Sequence, residues 1–225
     1  MKALIFGNEN KKVYEFVKKA GFVITSKNPD FVVSYGGDGT FMKSEYAYPG
    51  VPKLLLRNSY VCKLCSKLLN SEVLKRVKKG DYTIKKIPKL EVCSGRKTLL
   101  GVNDIVIHNK DARHAVRYKV YVNGAQLGNE IIGDGVIVAT PLGSTGYYRS
   151  ITDSFFEIGM GLAFNNSTEQ ADHIVLKEDA KVEICITRGP AMLYADNQKE
   201  SVKLEKGDKV IIKKSKKQAK IIQII

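Results

Sequence analysis

The sequence predicts two domains: an α/β domain with a parallel sheet over residues 1–85, then an all-β, sandwich-like domain over residues 86–225. In the first third of the chain, short apolar segments alternate with amphipathic helical segments, which is typical of a parallel sheet with helices on its faces. After about Tyr82, strand-sized segments follow one another with only turns between them, as in a β-sandwich. A chain of 225 residues is long enough to form both cores.

The first domain's helices are predicted from apolar residues at helical spacing. Between Lys11 and Ala20, apolar side chains recur on one face, lysines occupy the other, and Gly21 ends the segment. The other predicted elements are a strand from Lys2 to Phe6, a short apolar run from Phe22 to Thr25, a strand from Phe31 to Ser34, a helix from about Phe41, a strand from Val51 to Leu56 and a helix from Ser71 to Lys79, which Gly80 closes.

The second domain is predicted to consist of strands separated by turns such as Asn123-Gly124 and Lys206-Gly207-Asp208. The predicted strands run from Leu90 to Cys93, Thr98 to Leu100, Asn103 to His108, Val116 to Val122, Gly135 to Ala139, Lys181 to Ile186, Val210 to Lys213 and Ile221 to Ile225.

The composition indicates a globular protein with anionic partners. Hydrophobic residues make up 44% of the chain and charged residues 27%, and the formal net charge is +14. The lysines are dispersed along the chain, so most are expected on solvated faces. The apolar stretches are too short to span a bilayer, and the first residues do not have the pattern of a secretory signal. We therefore expect a cytoplasmic protein.

The four cysteines are expected to be buried or incidental thiols. Cys62 and Cys65 form a C-x-x-C pair, which can be a redox pair or half of a zinc site, while Cys93 and Cys185 stand alone. A second C-x-x-C or a paired histidine motif that would complete four zinc ligands is missing from the sequence. A disulfide framework is typical of short secreted chains, which this is not.

The strongest local signal is the segment Gly36-Gly37-Asp38-Gly39-Thr40 at the end of a predicted strand. Glycines let the backbone N–H groups approach a phosphate, and a following helix adds its positive N-terminal end. A carboxylate within such a loop can accept the proton of a hydroxyl, or orient that hydroxyl, as it attacks the γ-phosphorus. The motif predicts a phosphotransferase with Asp38 as its catalytic residue; a plain glycine-aspartate turn is the alternative.

Two further segments are candidates for ligand contacts. A strand beginning at Asp134-Gly135 leads into a stretch of glycines, hydroxyl residues and a tyrosine that reaches Ser150, where hydroxyls can bind ribose or phosphate and Tyr147 can pack on a base. Asn103-Asp104 precedes another strand and can hydrogen-bond the diol edge of a sugar. Each segment can equally be an ordinary surface turn.

Together these segments resemble the NAD kinase family. GGDGT at Gly36 to Thr40 matches the family's phosphate-donor motif, Asn103-Asp104 lies where the family carries Asn-Glu or Asn-Asp, and DGVIVATPLGSTGYYRS from Asp134 to Ser150 is similar to its long glycine-rich block. Asp196-Asn197-Gln198 resembles the family's DGQ turn. GGDGT alone also occurs in lipid kinases, whereas the second block is much more specific to NAD kinases.

The resemblance implies an N-terminal Rossmann-like domain, a β-rich C-terminal domain and NAD bound between them. It implies transfer of the γ-phosphate of ATP, or of polyphosphate, to the 2′-hydroxyl of the adenosine ribose of NAD. Asp38 would assist the attack, with Mg²⁺ carried by the nucleotide. The implied donor loop is Gly36, Gly37, Gly39 and Thr40, and the implied NAD-binding residues are Asn58, Asn103, Asp104, Asp134, Thr145, Gly146, Tyr147 and Ser150.

The family resemblance also implies a homodimer or homotetramer, because Asp134 matches an aspartate that typically reaches a neighbouring subunit's ligand. The sequence departs from the family in two places. From Leu56 to Cys65 only Asn58 remains of a pattern close to GIN-x-G-x-LGFL, and Leu64 stands where an aromatic residue is usual. From residue 151 to 173 the family's proline-rich segments are replaced, so contacts from that region are not carried over.

Two alternatives remain open from the sequence. One is a lipid or other small-alcohol kinase with a GGDGT loop, although no broad amphipathic membrane-binding helix is evident. The other is a basic nucleic-acid-binding protein, which would be expected to cluster its basic residues with aromatic residues that stack on bases. We expect NAD and ATP as substrates and neither nucleic acid nor membrane as a partner.

Overall fold

A computed structural model describes residues 1–7, 11–95, 97–168 and 172–225. The chain divides into two compact units, one formed by Met1–Ile87 with Lys217–Ile225 and the other by Pro88–Lys216. These units differ from the predicted ranges 1–85 and 86–225 in one important respect. The segment Lys217–Ile225 belongs to the first unit, because the strand that contains it begins in the second unit and continues beside a strand of the first.

The first unit is a parallel sheet with helices, as the alternation of apolar strands and amphipathic helices requires. Its strands are hydrogen-bonded in the order β2-β1-β3-β4, and β16 lies parallel to β4 at Ile221, opposite Lys53. The elements are β1 (Lys2–Gly7), α1 (Lys11–Lys19), β2 (Val23–Ile24), β3 (Phe31–Gly36), α2 (Asp38–Ala47), β4 (Lys53–Arg57), α3 (Asn70–Lys79), the start of β5 (Tyr82–Ser94) and the end of β16 (Lys209–Ile224).

The core of the first unit lies between the helices and the sheet. Val13 and Val17 of α1 and Val73 and Leu74 of α3 are buried with the apolar residues of β1, β3 and β4. Their i, i+4 and neighbouring positions form the single apolar face predicted for each helix. Gly80 ends α3 in the left-handed conformation, φ 88°, as predicted from the glycine after the last helical residue.

Where the structure describes it, the second unit is all-β apart from two short helical turns. One antiparallel sheet has the order β12-β11-β10-β7-β14-β15; in the other set of strands, β16 pairs with β13, β13 with β8 and β8 with β9, while β5 pairs with β6. The elements are β6 (Lys97–Gly101), β7 (Asp104–Asn109), β8 (Val116–Val122), β9 (Ala125–Gly133), β10 (Gly135–Ala139), a 3-10 turn (Gly143–Thr145), α4 (Tyr147–Thr152), β11 (Met160–Asn165), β12 (His173–Leu176), β13 (Val182–Arg188), β14 (Ala191–Ala195) and β15 (Ser201–Leu204).

Apolar residues from both sets of strands form the core of the second unit. Along β8 the alternate residues Val116, Tyr118 and Val120 are buried, as the period of a strand with one covered face predicts. The buried hydroxyl of Tyr118 donates to the carbonyl of Gly135 at 2.9 Å, so this polar group is satisfied inside the core. The predicted fold class, an α/β domain followed by an all-β domain, is confirmed.

The main difference from the predicted strands is β16. Two separate strands were predicted at Val210 to Lys213 and Ile221 to Ile225, but the chain is extended throughout Lys209–Ile224. The intervening lysine-rich segment keeps Ser215 and Ala219 buried while most of its lysines are exposed, so it continues as a strand with one solvated face. No helix in the described ranges is long and apolar enough to cross a membrane.

Candidate active site

The glycine-rich loop connects β3 to α2 in the first unit. The helix begins at Asp38, one turn earlier than the predicted start near Phe41, and Gly37 is its N-cap. A Cβ atom on Gly36 would lie 2.2 Å from Thr40 Oγ1, and one on Gly37 would lie 2.5 Å from the carbonyl oxygen of Val61. Space therefore requires glycine at both positions, and the neighbouring backbone can approach closely.

Asp38 occupies the first turn of α2, where the helix dipole favours a negative charge. Its Oδ2 accepts a hydrogen bond from the N–H of Lys63 at 2.9 Å, and its Oδ1 accepts one from the N–H of Leu64 at 3.1 Å. The carboxylate is thus held at both oxygens by the backbone of the loop that follows β4. A carboxylate has about four lone-pair positions, so it keeps acceptor capacity for a ligand hydroxyl.

A cavity of about 810 Å³ opens beside the glycine-rich loop. All five residues from Gly36 to Thr40 line it, together with Asn58, so the structure brings these predicted residues to one place. Lys43 also lines the cavity and was missed by the sequence analysis. Its position three residues after Thr40 on the same helix face could have indicated it, because residues at i and i+3 are neighbours on a helix.

The expectation that Cys62 and Cys65 are incidental thiols is wrong. Both residues are buried, but they are joined by a disulfide that closes the loop from which Lys63 and Leu64 donate to Asp38. Cys93 and Cys185 are free thiols. The C-x-x-C spacing left a redox pair as one possibility, but the sequence did not show that the two residues between the cysteines hydrogen-bond Asp38.

In the second unit, Asn103 and Asp104 are held by Asp196. The Asp196 carboxylate accepts hydrogen bonds from the N–H groups of Val102, Asn103 and Asp104 at 2.8, 2.7 and 3.2 Å. The N–H of Asp196 in turn donates to the carbonyl of Asp104 at 3.0 Å. Asp196 lies just after β14, and its partners lie just before or at the start of β7, so the pairing of these two strands brings the two turns together.

Two carboxylates therefore lie close together in this turn. Burial first, and then the charge of Asp196, raise the pKa of Asp104 to about 7. Burial also raises the pKa of Asp196, although its three backbone hydrogen bonds and the charge of the buried Lys89 act in the opposite direction. Asp104 is a candidate site residue with a strongly perturbed proton affinity.

The turn after β10 packs directly on the Asn103 segment. Thr140 donates from its N–H to the carbonyl of Asn103 at 2.8 Å and from its hydroxyl to the carbonyl of Val102 at 2.7 Å. A Cβ on Gly143 would lie 2.0 Å from the Asn103 carbonyl oxygen, so only glycine fits there. The two predicted motifs of the second unit, Asn103-Asp104 and the glycine-rich block, are thus brought together.

Asp134, just before β10, and Tyr147, at the start of α4, lie in a polar cluster with residues from the ends of β7 and β11. Asp134 accepts hydrogen bonds from the side-chain amides of Asn109 at 3.1 Å and Asn166 at 2.6 Å. The amide of Asn165 donates to the Tyr147 hydroxyl at 3.3 Å. Burial, followed by the charges of Asp134 and Asp104, raises the pKa of the Tyr147 hydroxyl, so this group remains protonated at neutral pH.

Four members of this polar cluster were not predicted: His108, Asn109, Asn165 and Asn166. Gly135 pairs with His108 on one side and with Asn165 on the other, and the side-chain amide of Asn165 lies 3.3 Å from His108 Nε2. The side-chain oxygen of Asn109 is buried without a hydrogen-bond partner. Asn165 lies at the end of β11 and Asn166 directly after it; this strand was not predicted, so their place in this cluster was not predicted either.

The remaining predicted residues of the second unit lie in the 3-10 turn and α4. Thr145 is half-buried in the turn, Gly146 is exposed, and the Ser150 hydroxyl donates to the carbonyl of Tyr147 at 2.7 Å within the short helix. Tyr147 itself is 37% exposed, so much of its ring is accessible. Over the ranges that the structure describes, no group of three or more His, Cys, Asp or Glu side chains could hold a metal ion.

Comparisons with known proteins identify the family of the chain. Residues 102–224 match the family model described as the ATP-NAD kinase C-terminal domain. The chain is 27% identical to the NAD kinase of Picrophilus torridus, over 95% of this chain and 81% of that protein. It is 29% identical to the NAD kinase of Thermoplasma volcanium, over 94% of this chain and 82% of that protein.

The fold is shared with two solved structures. An NAD kinase from Archaeoglobus fulgidus in complex with ATP superimposes with a TM-score of 0.83 at 23% identity, covering 98% of this chain and 93% of that one. A yeast NADH kinase complexed with NADH gives a TM-score of 0.82 at 15% identity, covering all of this chain and 84% of that one. A lipid kinase and a nucleic-acid-binding protein are therefore set aside. The chain belongs to the NAD kinase family.

Proposed function

We propose that this protein transfers the γ-phosphate of ATP to the 2′-hydroxyl of the adenosine ribose of NAD, giving NADP. The observation that carries the proposal is the position of Asp38 at the N-terminus of α2, with both carboxylate oxygens fixed by backbone amides, beside a glycine-lined cavity. A carboxylate fixed in this way can receive a hydroxyl proton next to a bound phosphate chain.

The donor side of the reaction is assigned to the first unit. The space left by Gly36 and Gly37 and the positive end of α2 favour the phosphates of a nucleotide. Lys43 lines the same cavity and adds a positive charge that can neutralise phosphate oxygens as the transition state forms. The Thr40 side chain, which also lines the cavity, supplies a hydroxyl donor to the same phosphate chain.

In the proposed step the 2′-oxygen attacks the γ-phosphorus. A bond forms between the ribose oxygen and phosphorus, the bond from phosphorus to the bridging oxygen breaks, and ADP leaves. The hydroxyl proton passes to Asp38 and then to solvent. Phosphoryl transfer depends mainly on positioning the reacting groups and on stabilising the charge of the phosphates. One fixed carboxylate and the hydrogen-bond donors of the phosphate-binding loop can supply both.

The dinucleotide is assigned to the polar residues of the second unit. Tyr147 offers an accessible ring for the adenine, and its neighbours Asp134 and Asn165 offer an acceptor and a donor for ribose hydroxyls. Asn103 and Asp104, which Asp196 orients, offer a second amide and carboxyl pair. The yeast NADH kinase was solved with NADH, and we propose the same class of ligand for this chain.

We propose that Mg²⁺ enters with the nucleotide as MgATP. The described residues provide no cluster of acidic, histidine or cysteine side chains that would hold the ion by itself. Asp38, the carboxylate within the donor loop, already accepts hydrogen bonds from two backbone amides. An ion carried by the phosphate oxygens, which usually keeps several waters, needs few protein ligands. Polyphosphate, which presents the same chain of phosphates, is the second donor to be tested.

The test is production of NADP by the purified protein. Samples contain NAD or NADH with MgATP or polyphosphate, and an NADP-specific dehydrogenase reads out the product. We expect turnover that depends on NAD, on a phosphate donor and on Mg²⁺. If no combination of donor and acceptor gives a product with a 2′-phosphate, the proposed function is wrong.

We also propose that the active protein is a homodimer or homotetramer, an expectation from the family resemblance of Asp134. Within one chain, Asp134 is held by Asn109 and Asn166 and so is fixed in orientation. Light scattering during size-exclusion chromatography measures the mass directly. A mass of one 25.0 kDa chain at assay concentration would contradict this proposal.

A further inference from the structure

The loop that follows β4 is hydrogen-bonded to the Asp38 carboxylate through its backbone. The two residues between the half-cystines, Lys63 and Leu64, are the two that donate backbone N–H groups to the carboxylate. The loop also meets the donor motif at a second point, since the Val61 carbonyl oxygen would lie 2.5 Å from a Cβ on Gly37. The disulfide therefore closes the segment of backbone that positions the proposed catalytic group.

The peptide groups of Lys63 and Leu64 lie in an irregular loop. Residues 58 to 69 have no regular secondary structure, so no strand or helix ladder sets their dihedral angles. Contacts from outside reach the start of the loop: the N–H of Asn58 donates to the carbonyl of Gly36 at 3.1 Å, and the guanidinium of Arg57 donates to the carbonyl of Cys62 at 3.0 Å. A covalent link across Cys62 and Cys65 removes conformations in which the two N–H groups point elsewhere.

We propose that the Cys62–Cys65 disulfide is a positioning device for Asp38 and that its reduction lowers the turnover of the kinase. This inference rests on the proposed function, because it takes Asp38 as the catalytic residue. It assigns a role to the stretch in which this chain departs from the family pattern. In the oxidised form both oxygens of Asp38 are held, and the catalytic group is organised before substrate binds.

The chemistry is thiol–disulfide exchange with a dithiol reductant. One thiolate of the reductant attacks a sulfur of the pair and forms a mixed disulfide, and its second thiolate then displaces the protein thiol. Two electrons pass from the dithiol to the Cys62–Cys65 pair, which ends as two thiols while the reductant becomes a disulfide. The loop then loses its closure, and the N–H groups of Lys63 and Leu64 no longer have to face Asp38.

The first measurement is the thiol content of the purified protein. Alkylation under denaturing conditions should label two cysteines, Cys93 and Cys185, before treatment with dithiothreitol and all four afterwards. Hydrogen exchange of the peptide that contains Lys63 and Leu64 should be faster in the reduced protein. Four labelled cysteines in protein purified in air, or equal exchange in both forms, would overturn the proposal.

The second measurement is steady-state turnover of both forms. We expect kcat to fall about tenfold on reduction, because a displaced catalytic group slows the chemical step. KM for NAD should change by less than about twofold, because the residues to which the dinucleotide is assigned lie in the second unit, and Asn58, at the start of the loop, is outside the disulfide-closed segment. Reoxidation should restore kcat. An unchanged kcat would overturn the proposal, and so would a loss of NAD affinity or of the folded state, since either indicates a purely structural disulfide.

Matched variants separate the two pairs of cysteines. Cys93→Ser with Cys185→Ser should keep the full redox response, whereas Cys62→Ser with Cys65→Ser should show the lower kcat with or without reductant. A response that is retained in the second variant would contradict the assignment. If neither form of the wild-type protein makes NADP, the proposed function fails, and the thiol count and hydrogen exchange still report whether the loop behaves as described.

Discussion

Asp38 carries the proposed chemistry at the scale of single residues. Replacing it by asparagine preserves the shape of the side chain and one of the two oxygens that accept from the Lys63 and Leu64 amides, but removes the proton acceptor. We expect Asp38→Asn to lower kcat by about 10²- to 10⁴-fold, the usual contribution of general base catalysis. The exposed Asp81 in the same unit provides the matched control, and Asp81→Asn should leave kcat unchanged. Near-normal turnover in Asp38→Asn would remove the assigned role.

Tyr147 should act through its ring more than through its hydroxyl. The residue is partly exposed, and the hydroxyl accepts a long hydrogen bond from the Asn165 amide, 3.3 Å away. Stacking on a base contributes about 1–3 kcal/mol, so Tyr147→Ala should raise KM for NAD by about 5- to 150-fold with a smaller effect on kcat. Tyr147→Phe keeps the ring and serves as the control. An unchanged KM in Tyr147→Ala would place the adenine elsewhere.

Asp104 should make the stability of the protein depend on pH. Its pKa in the folded protein is raised to about 7 from the ordinary value of 3.8, so between these values the folded state binds the proton and the unfolded state does not. The stability that this group contributes is therefore present at low pH and is lost as the pH rises towards 7. Asp104→Asn removes this dependence.

The measurement is urea unfolding of wild type and Asp104→Asn at pH 5 and pH 8. Relative to wild type, the variant should gain about 2 kcal/mol in free energy of unfolding between these two values, as an order of magnitude. Comparing the two proteins at each pH cancels the titration of groups that they share. A constant difference across this range would show that Asp104 is ionised in the folded protein at pH 5.

At the scale of elements, α2 is joined to β4 by a buried ion pair. Lys53 donates to the carboxylate of Glu45 and to the carbonyl of Tyr48, and Glu45 also accepts from the N–H of Gly50 at 3.0 Å. Both side chains are almost fully buried. Because α2 begins at Asp38, this contact fixes the far end of the helix that carries the proposed catalytic residue.

Removing one member of this pair should be worse than removing both. Lys53→Met leaves the Glu45 carboxylate buried without its cation, which typically costs about 3–5 kcal/mol. The double variant Glu45→Leu with Lys53→Met should recover most of that loss, because apolar residues of similar volume tolerate burial. Denaturant unfolding of the single and double variants tests this. A double variant that is no more stable than Lys53→Met would show that the hydrogen bonds to Tyr48 and Gly50 dominate.

An element could be predicted when its own residues carried a clear pattern of apolar and polar side chains. The helices α1 and α3 were predicted because the burial of one face appears in their own periodicity, and the strand β3 was predicted because its burial on both faces appears as a continuous apolar run. The strands β9, β11, β12, β14 and β15 were not predicted. In β9, for instance, most residues are exposed or half-buried and a glycine interrupts the run, so local pattern alone does not distinguish it from a loop.

The candidate site follows the same rule: residues in continuous motifs were predicted, and residues that join the site only through tertiary contacts were not. Asp38 and the residues from Asp134 to Ser150 were found because they lie in continuous motifs with distinctive residue types. Asn165 and Asn166 reach Asp134 and Tyr147 only through the pairing of β11 with β10, which depends on contacts distant in sequence. The contact of Asp38 with the disulfide loop, 25 and 26 residues away, depends on tertiary structure in the same way.

At the scale of the whole molecule, β16 links the two units within one continuous strand. Its first part pairs with β13 in the second unit, from Lys209 to Ile212, and its last part lies beside β4 in the first, where Ile222 joins the core. The segment Lys217–Ile225 is therefore distant in sequence from the unit whose core it completes. We expect the stability of the first unit to depend on this segment.

Deleting residues 217–225 should destabilise the first unit while leaving the second unit folded. The deletion exposes one edge of β4, removes the buried side chain of Ile222 and removes the carbonyl of Ile225 that accepts from Arg76 at 2.6 Å. The strands that pair within Pro88–Lys216 are all retained. Limited proteolysis followed by mass spectrometry should then show early cleavage within residues 1–87 and persistence of fragments from 88–216.

Two point variants test whether burial in the core, or strand pairing alone, causes this dependence. Ile222→Ala should cost about 2–4 kcal/mol of unfolding free energy, as expected for truncating a buried isoleucine. Gln223→Ala, at the adjacent exposed position of the same strand, should change it by less than about 0.5 kcal/mol. If the two variants are equally stable, the last part of β16 contributes through its backbone pairing. If the deletion leaves residues 1–87 as resistant to protease as before, the first unit is complete without this segment.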